Sequence, residues 1–250
     1  MKTAIECIAV SRNFGALAAL KDVSFKVMEG EVRALIGPNG AGKTTLFNVI
    51  NGTIKLSSGK VRHRGDDLTG LRGEHICQKG ISRTFQLTSL FPQMTSFENV
   101  SLAAQAKLSG RWFPIGGRKV LAEAGRRANE ALERLSLKHI ADTPALELSH
   151  GDQRLLEVAM AVAQKPDVLM LDEPTQGLSI DETHEIIGRL RALLKEQSLT
   201  VVLVEHDMDV VFELADRIAV LHRGHLIADG TVGEVRGNAL VQEAYLGGVD

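Results

Sequence analysis

Hydrophobic residues in this chain fall into short runs separated by polar or glycine-containing stretches. Runs of this length are typical of β-strands, and runs without polar residues are typical of strands buried on both faces of a parallel sheet. The predicted strands are residues 4–10, 23–27, 32–36, 168–171, 201–204 and 218–221. Helical stretches alternate with these strands, which predicts an α/β architecture with crossover helices.

The segment from about residue 97 to residue 164 has a different pattern, rich in Ala, Leu, Glu and Arg and without β-branched runs. Two stretches in it, 123–137 and 153–163, carry apolar residues at helical spacing. The Gly-rich stretch 109–117 predicts a loop. We therefore predict a single domain over residues 1–250, with a helical subdomain of approximately 97–164 inserted into the α/β core.

The composition narrows the classes of function. A chain of 250 residues with 44% hydrophobic and 24% charged residues is an ordinary globular protein, and a formal charge of -2 gives no basic field for nucleic acid. Cys7 and Cys77 match no metal or redox spacing, so we expect reduced thiols in a cytosolic protein. We expect no signal peptide and no transmembrane segment, so action at a membrane would require a partner.

A glycine-rich stretch follows the predicted strand 32–36 and precedes a helical stretch. It matches the pattern G-x-x-x-x-G-K-[ST] in the strand–loop–helix context that identifies a phosphate-binding P-loop. Backbone N–H groups are expected to surround nucleotide phosphates, with Lys43 reaching the β- and γ-phosphates and Thr44 binding Mg²⁺. The motif consists of Gly37, Pro38, Asn39, Gly40, Ala41, Gly42, Lys43, Thr44 and Thr45.

Two carboxylates, Asp172 and Glu173, follow the predicted strand 168–171. In a P-loop NTPase the first acid holds Mg²⁺, usually through water, and the second is placed to activate the attacking water as general base. Without a P-loop, the pair would be interpreted as solvated charges at the end of a strand. The P-loop makes Asp172 a predicted metal ligand and Glu173 a predicted catalytic residue.

The sequence Leu-Ser-His-Gly-Asp-Gln-Arg at 148–154 precedes the acidic strand. It resembles the LSGGQ signature of ABC transporter ATPases, and the resemblance covers nearly the whole chain. The resemblance implies a Q-loop glutamine that also binds Mg²⁺, a D-loop, a switch histidine for catalysis and an aromatic ring stacked on adenine. These are Gln86, residues 177–179, His206 and Phe14. Taken alone, each is weak evidence, and Phe14 could simply pack in the core.

The signature departs from the family pattern at two positions. His150 replaces the first glycine and Asp152 replaces the glutamine, while Ser149 and Gly151 are retained. The retained pair supplies a hydroxyl donor and a close backbone approach at a helix N-terminus. We interpret His150 as the mark of a subfamily. Asp152 adds a negative charge near the expected phosphate site. This charge would affect how strongly ATP favours closure of the two subunits.

The resemblance also implies an assembly. The family pairs two ATPase subunits head to tail, so that the signature of one chain, here 149–152, covers ATP on the P-loop of the other. It implies a P-loop NTPase (RecA-like) core with an antiparallel β subdomain and an inserted helical subdomain. Its implied partners are ATP with Mg²⁺, a second ABC ATPase, permease subunits and, indirectly, a substrate-binding protein. The implied location is peripheral, on the cytoplasmic face of the cell membrane.

Four features resemble one branch, the ATP-binding subunits of branched-chain amino acid importers: the length, the helical insertion around 108–137, the D-loop at 177–179 and the C-terminal sequence 242–247. ATPases of urea or amide importers and of a lipopolysaccharide exporter remain alternatives. A soluble ABC ATPase acting on ribosomes or DNA repair usually has tandem ATPase domains or long coiled-coil insertions, which we do not find in the sequence. A regulatory module without turnover is disfavoured by the intact Lys43, Asp172, Glu173 and His206.

The apolar segment that follows Gln86 suggests a coupling role. Leu90 and Phe91 are predicted to line a groove that receives a short cytoplasmic helix of the permease. The alternative is that Leu90, Phe91 and Phe97 pack the joint of the helical subdomain.

Overall fold

The computed structural model describes residues 2–84, 90–108, 117–197 and 199–246. The chain divides into two compact units, one of Met1–Ile81 with Ser198–Asp250 and the other of Ser82–Gln197. Among the described ranges, no helix combines the length and the hydrophobicity needed to cross a bilayer.

The elements are numbered in chain order. The strands are β1 (Thr3–Phe14), β2 (Leu17–Met28), β3 (Val32–Ile36), β4 (Ser58–His63), β5 (Asp66–Asp67), β6 (Ile81–Arg83), β7 (Val168–Asp172), β8 (Thr200–Val204), β9 (Arg217–His222) and β10 (His225–Thr231). The helices are α1 (Lys43–Ile50), α2 (Gly73–Gln78), α3 (Ser96–Lys107), α4 (Gly117–Arg134), α5 (His150–Ala163), α6 (Ile180–Gln197), α7 (Met208–Leu214), α8 (Val232–Arg236) and α9 (Ala239–Leu246), with 3₁₀ turns at Lys138–Ile140 and Ala145–Glu147.

The first unit contains an antiparallel sheet in the order β2-β1-β4-β5 and a sheet in which β10, β9, β3 and β8 are neighbours in that order. Strand β3 pairs in parallel with both β8 and β9, and every residue of β3 is buried. Its side chains Ala34 and Ile36 join a core that includes Val220 of β9 and Val241 of α9. The P-loop therefore follows a strand that is fixed on both sides.

The second unit contains β7, all of whose residues are buried, and the helices α3, α4, α5 and α6. Helix α4 ends at Arg134, three residues before the predicted end at 137, because Ser136 takes a left-handed backbone angle of φ 57° that a helix cannot continue. Helix α5 begins at His150, earlier than the predicted start at 153, since the Ser149 hydroxyl caps it. The predicted loop at 109–117 lies outside the described residues except for Gly117, the first residue of α4.

Candidate nucleotide-binding site

The P-loop, residues 37–45, connects β3 to α1 along a backbone path that requires glycine. Gly37 and Gly42 have φ angles of 149° and 105°. A Cβ atom would lie 2.1 Å from the Leu221 carbonyl oxygen at Gly37, and 2.6 Å from the Ala19 carbonyl oxygen at Gly42. No side chain fits at either distance, so the loop lies directly against the ends of β2 and β9.

Lys43 is buried at the start of α1, and its ammonium folds back over the loop. The Nζ atom donates to the carbonyl oxygens of Gly37 at 2.6 Å and Pro38 at 3.1 Å. The N-cap residue Gly42 offers no side-chain cap, and the first turn of α1 holds no acidic residue. The N-terminus of α1 therefore carries an ammonium and no carboxylate in its first turn, a combination that favours binding of phosphate.

The remaining P-loop side chains differ in exposure. Asn39, Gly40 and Thr44 are exposed, whereas Ala41 is buried and donates its N–H to the Pro38 carbonyl at 3.1 Å. The Ala41 carbonyl accepts the N–H of Gly224, from the turn between β9 and β10, at 3.0 Å. Thr44 can therefore offer its hydroxyl to a ligand, while the backbone beside it is held by the hairpin.

Phe14, at the end of β1, has 43% of its surface exposed. The Arg12 guanidinium carbon lies 4.5 Å from the centroid of its ring, within the range of a cation–π contact. The alternative that Phe14 packs in the core is therefore wrong. Its stacking on adenine stays a prediction.

A pocket of about 650 Å³ lies beside the exposed part of the P-loop in the first unit. It is lined by Pro38, Asn39, Gly40, Ala41, His222, Arg223, Ile227, Leu240, Glu243 and Ala244. Tyr245 follows these α9 residues, and burial raises the pKa of its phenol to about 12, with a hydrogen bond to the backbone of Gly37 acting in the opposite direction. The C-terminal helix thus contacts the first glycine of the P-loop.

In the second unit, Asp172 is the last residue of strand β7 and Glu173 follows it directly. The Asp172 side chain is fully buried, and its Oδ2 accepts a hydrogen bond from Arg83 Nη2 at 2.6 Å. Glu173 is 7% exposed and has a φ of 48°. A left-handed angle at a residue other than glycine costs about 1 kcal/mol or more, and such strain concentrates at functional sites.

The signature residues form the first turn of α5. The Ser149 Oγ accepts the N–H of Asp152 at 3.1 Å and donates its own proton to Asp152 Oδ2 at 2.8 Å. His150 is exposed, and Gly151 is buried. The hydroxyl that the resemblance assigns to a phosphate is therefore bound here to the carboxylate that replaces the signature glutamine.

The D-loop, residues 177–179, ends where α6 begins. The N–H and the hydroxyl of Ser179 donate to Glu182 Oε2 at 2.9 and 2.7 Å. These hydrogen bonds lower the pKa of Glu182, and the charge of His150 contributes in the same direction. The other Glu182 oxygen lies 3.8 Å from the position of a Cβ built on Gly151. One carboxylate thus lies between the D-loop and the signature.

His206 follows β8 in the first unit and is exposed. Its backbone N–H donates to the Glu205 side chain at 2.9 Å, and Asp207 caps α7. Leu90 is half-buried, and Phe91 is 49% exposed. Gln86 lies outside the described residues.

Each unit, taken by itself, contains an oxygen donor of the kind that binds a magnesium ion. No group of three or more His, Cys, Asp or Glu side chains able to hold a metal occurs in the part of the chain that the structure describes. Mg²⁺ bound to a nucleotide does not require such a group, because phosphate oxygens and water supply most of its ligands. The exposed hydroxyl of Thr44 and the carboxylate of Asp172 are oxygen donors of the kind Mg²⁺ prefers.

Sequence reasoning did not identify Arg83, Glu182 or Tyr245. Arg83 could have been suspected because it is a charged residue in a short strand, directly before Thr84, Phe85 and Gln86. Glu182 has the spacing of a capping box with Ser179, although that pattern predicts helix capping and not contact with the signature.

Comparison with known proteins assigns the family. A model described as "ABC transporter" matches residues 20–176, and one described as "Branched-chain amino acid ATP-binding cassette transporter" matches residues 225–250. The chain is 42% identical to the high-affinity branched-chain amino acid transport ATP-binding protein LivG of Salmonella typhimurium over 239 residues, 94% of each chain. It is 39% identical to BraF of Pseudomonas aeruginosa, with 97% of each chain covered.

Solved structures agree with this assignment. A nucleotide-free ATP-binding cassette from an ABC transporter matches with a TM-score of 0.83 and 30% identity, over 97% of this chain and 98% of that one. A cassette in its ADP conformation matches with a TM-score of 0.84 and 31% identity, over 99% and 100%. The P-loop NTPase fold and the ordered motifs agree with both. The chain therefore belongs to the ABC transporter family, among the ATP-binding proteins of branched-chain amino acid transport.

Proposed function

We propose that this chain hydrolyses ATP to drive the uptake of branched-chain amino acids through partner permeases. One observation carries the proposal: a complete P-loop and a C-terminal segment matching the branched-chain amino acid group occur in one chain. Relatives named for that transport are similar over nearly their whole length. The chain would lie peripherally on the cytoplasmic face of the membrane, bound to permeases that receive substrate from a binding protein.

The residues take the following roles in the proposal. Lys43 and the P-loop N–H groups hold the phosphates, Thr44 and Asp172 hold Mg²⁺ together with Gln86, and Phe14 stacks on adenine. Mg²⁺ supplies positive charge to the phosphate oxygens when it is bound. Glu173 accepts a proton from the attacking water, and His206 contacts the γ-phosphate. Catalysis then consists of positioning and charge stabilisation of phosphoryl transfer to water.

The signature residues 149–152 act on ATP held by a second ABC ATPase subunit. The N-terminus of α5 presents N–H groups that suit an anion approaching from outside the chain, and the Ser149 hydroxyl can join them once its hydrogen bond to Asp152 breaks. Binding of ATP favours the closed pair of subunits, and hydrolysis favours its reopening. This difference between the nucleotide states supplies the conformational work.

The substrate class is tested in vesicles that contain the chain with its permeases and binding protein. Uptake of leucine, isoleucine and valine is measured beside uptake of urea and a short amide, with ATP inside the vesicles. We expect saturable uptake of the three amino acids. Transport of urea or the amide in their place would assign the chain to a different importer.

Replacing Lys43 by alanine is expected to weaken ATP binding to the isolated chain by about tenfold or more, because a hydrogen-bonded charge on the phosphates is lost. Equilibrium binding of a fluorescent ATP analogue measures the effect. Lys55→Ala, which removes an exposed lysine outside the P-loop, is the control. Equal affinity of the Lys43 variant and the control would remove the phosphate role of Lys43.

Replacing Asp152 by glutamine is expected to lower the ATP concentration that half-saturates hydrolysis by the assembled transporter. The exchange replaces the charged acceptor of the Ser149 hydroxyl by a neutral amide and removes a negative charge from the signature. Removing roughly 1 kcal/mol of repulsion corresponds to about a fivefold change. The control is Glu98→Gln, which neutralises the equivalent acid in the capping box of α3. An unchanged or higher half-saturating concentration for the Asp152 variant would contradict the expectation.

A further inference from the structure

An arginine outside the recognised motifs binds the aspartate proposed to hold Mg²⁺. Arg83 Nη2 lies 2.6 Å from Asp172 Oδ2, and the two residues are 89 positions apart in the sequence. The Arg83 side chain is 14% exposed and the Asp172 side chain is fully buried. At this distance and burial the pair is a charge-assisted hydrogen bond with little solvent around it.

The strand that carries Arg83 also holds the backbone of Asp172. Thr84 donates its N–H to the Met170 carbonyl at 2.9 Å, and its Oγ1 accepts the N–H of Asp172 at 3.3 Å. Two successive residues therefore fix the aspartate, one through its main chain and the other through its carboxylate. The Asp172 carboxylate is therefore paired in this structure with a cation supplied by the chain itself.

We propose that Arg83 is a positioning residue that balances the charge of Asp172 in the nucleotide-free chain and yields the carboxylate to Mg²⁺ when Mg-ATP binds. The inference rests on the proposed role of Asp172. A buried carboxylate is costly unless a cation or hydrogen-bond donors compensate it. Arg83 supplies such a cation before the metal arrives, and its hydrogen bond holds the carboxylate in place.

Competition between the two cations follows from electrostatics. Arg83 and Mg²⁺ both carry positive charge, and each favours the same ionised carboxylate, so binding of either weakens the hold of the other. Removing the guanidinium removes this competitor, and bound Mg²⁺ then supplies positive charge that Arg83 no longer provides. Mg²⁺ should therefore stabilise an Arg83 variant more than it stabilises the original chain.

The test is thermal unfolding of the full-length chain with a non-hydrolysable ATP analogue, first with EDTA and then with Mg²⁺. With EDTA, Arg83→Gln is expected to unfold about 5–10 °C lower, because the buried carboxylate has lost its hydrogen bond to the Arg83 guanidinium. When Mg²⁺ replaces EDTA, the unfolding temperature of Arg83→Gln is expected to rise. This rise should exceed the rise of the original chain by about 3 °C or more. A merely structural role would lower both temperatures equally and leave the rise unchanged, which would overturn the proposal.

Two further variants serve as controls for Arg83→Gln. Arg127→Gln removes a guanidinium of similar exposure, 17%, that pairs with Glu123 in α4, and its Mg²⁺-dependent rise should equal that of the original chain. Arg83→Lys keeps the charge without the planar fork, so its rise should lie between those of the original chain and Arg83→Gln. If Arg83→Gln does not fold, a rise in Arg83→Lys no larger than the original overturns the proposal.

Asp172→Asn separates this inference from the proposed function. If its Mg²⁺-dependent rise equals that of the original chain, the assignment of Asp172 to Mg²⁺ fails and the inference fails with it. If Asp172→Asn loses the rise while Arg83→Gln shows the original rise, the Mg²⁺ assignment stands and the role of Arg83 is wrong.

Discussion

Replacing Glu173 by glutamine is expected to lower the rate of ATP hydrolysis by about 10²- to 10⁴-fold, the range that a general base contributes. Glutamine has nearly the same shape but cannot accept the proton of the attacking water. Glu173 is 7% exposed and held at a left-handed backbone angle, so few other groups could take over its position. Phosphate release by the assembled transporter measures the rate.

The same substitution should leave ATP binding intact and stabilise the ATP-bound pair of subunits, because closure precedes hydrolysis. Glu147→Gln makes the same chemical change at an exposed position and should hydrolyse ATP at the original rate. Near-normal steady-state hydrolysis by the Glu173 variant would remove the assignment of the general base. Loss of ATP binding by that variant would point to misfolding of the strand end.

Replacing Ser149 by arginine is expected to lower hydrolysis by about 10²-fold or more, the size of effect seen when one donor to a developing negative charge is removed. The Ser149 hydroxyl caps α5, and a long side chain there would block the approach of a second subunit. ATP binding to the isolated chain should be unchanged, since the P-loop lies elsewhere in the sequence. ATP affinity and hydrolysis are measured side by side.

The Ser149→Arg variant loses both the cap of α5 and a signature residue, so a control must distinguish these two effects. Thr231→Arg removes the cap of α8 in the same way and should not block hydrolysis. His150→Gly should be tolerated, because glycine is the family residue there. If His150→Gly were as damaging as Ser149→Arg, the interpretation of His150 as a subfamily mark would be wrong.

The hydrophobic pattern predicts those strands whose own side chains show clearly that they are buried. Strands β3 and β7 are buried at every position, and most of their residues are apolar, which predicts this burial. Strand β4 was missed because Val61 and His63 are its only buried residues, and its neighbours in the sheet supply the hydrogen bonds. Strand β10 alternates weakly and is fixed by antiparallel pairing with β9. Hydrogen bonding to a neighbouring strand, whether that strand is distant in the sequence or adjacent, leaves little trace in a hydrophobic pattern.

The candidate site also contains some features that could be predicted from the sequence and others that could not. The P-loop could be predicted because its glycines, Lys43 and Thr44 act through local backbone geometry, which the spacing of the motif specifies. The contact of Arg83 with Asp172 could not, because it joins two strands 89 residues apart. The hydrogen bond between Ser149 and Asp152 is local, yet a side-chain pair three residues apart in a first helical turn can form several alternative bonds. The structure selects one of them.

In the proposed function, hydrolysis of ATP by this chain powers uptake of branched-chain amino acids. We would measure leucine accumulation together with phosphate release in proteoliposomes containing the assembled transporter with either the original chain or Glu173→Gln. We expect leucine to accumulate against its gradient only with ATP, and we expect accumulation and phosphate release to be lost together in the variant. Sustained accumulation of leucine by the Glu173→Gln transporter, or phosphate release by the original transporter without any leucine uptake, would contradict the proposed function.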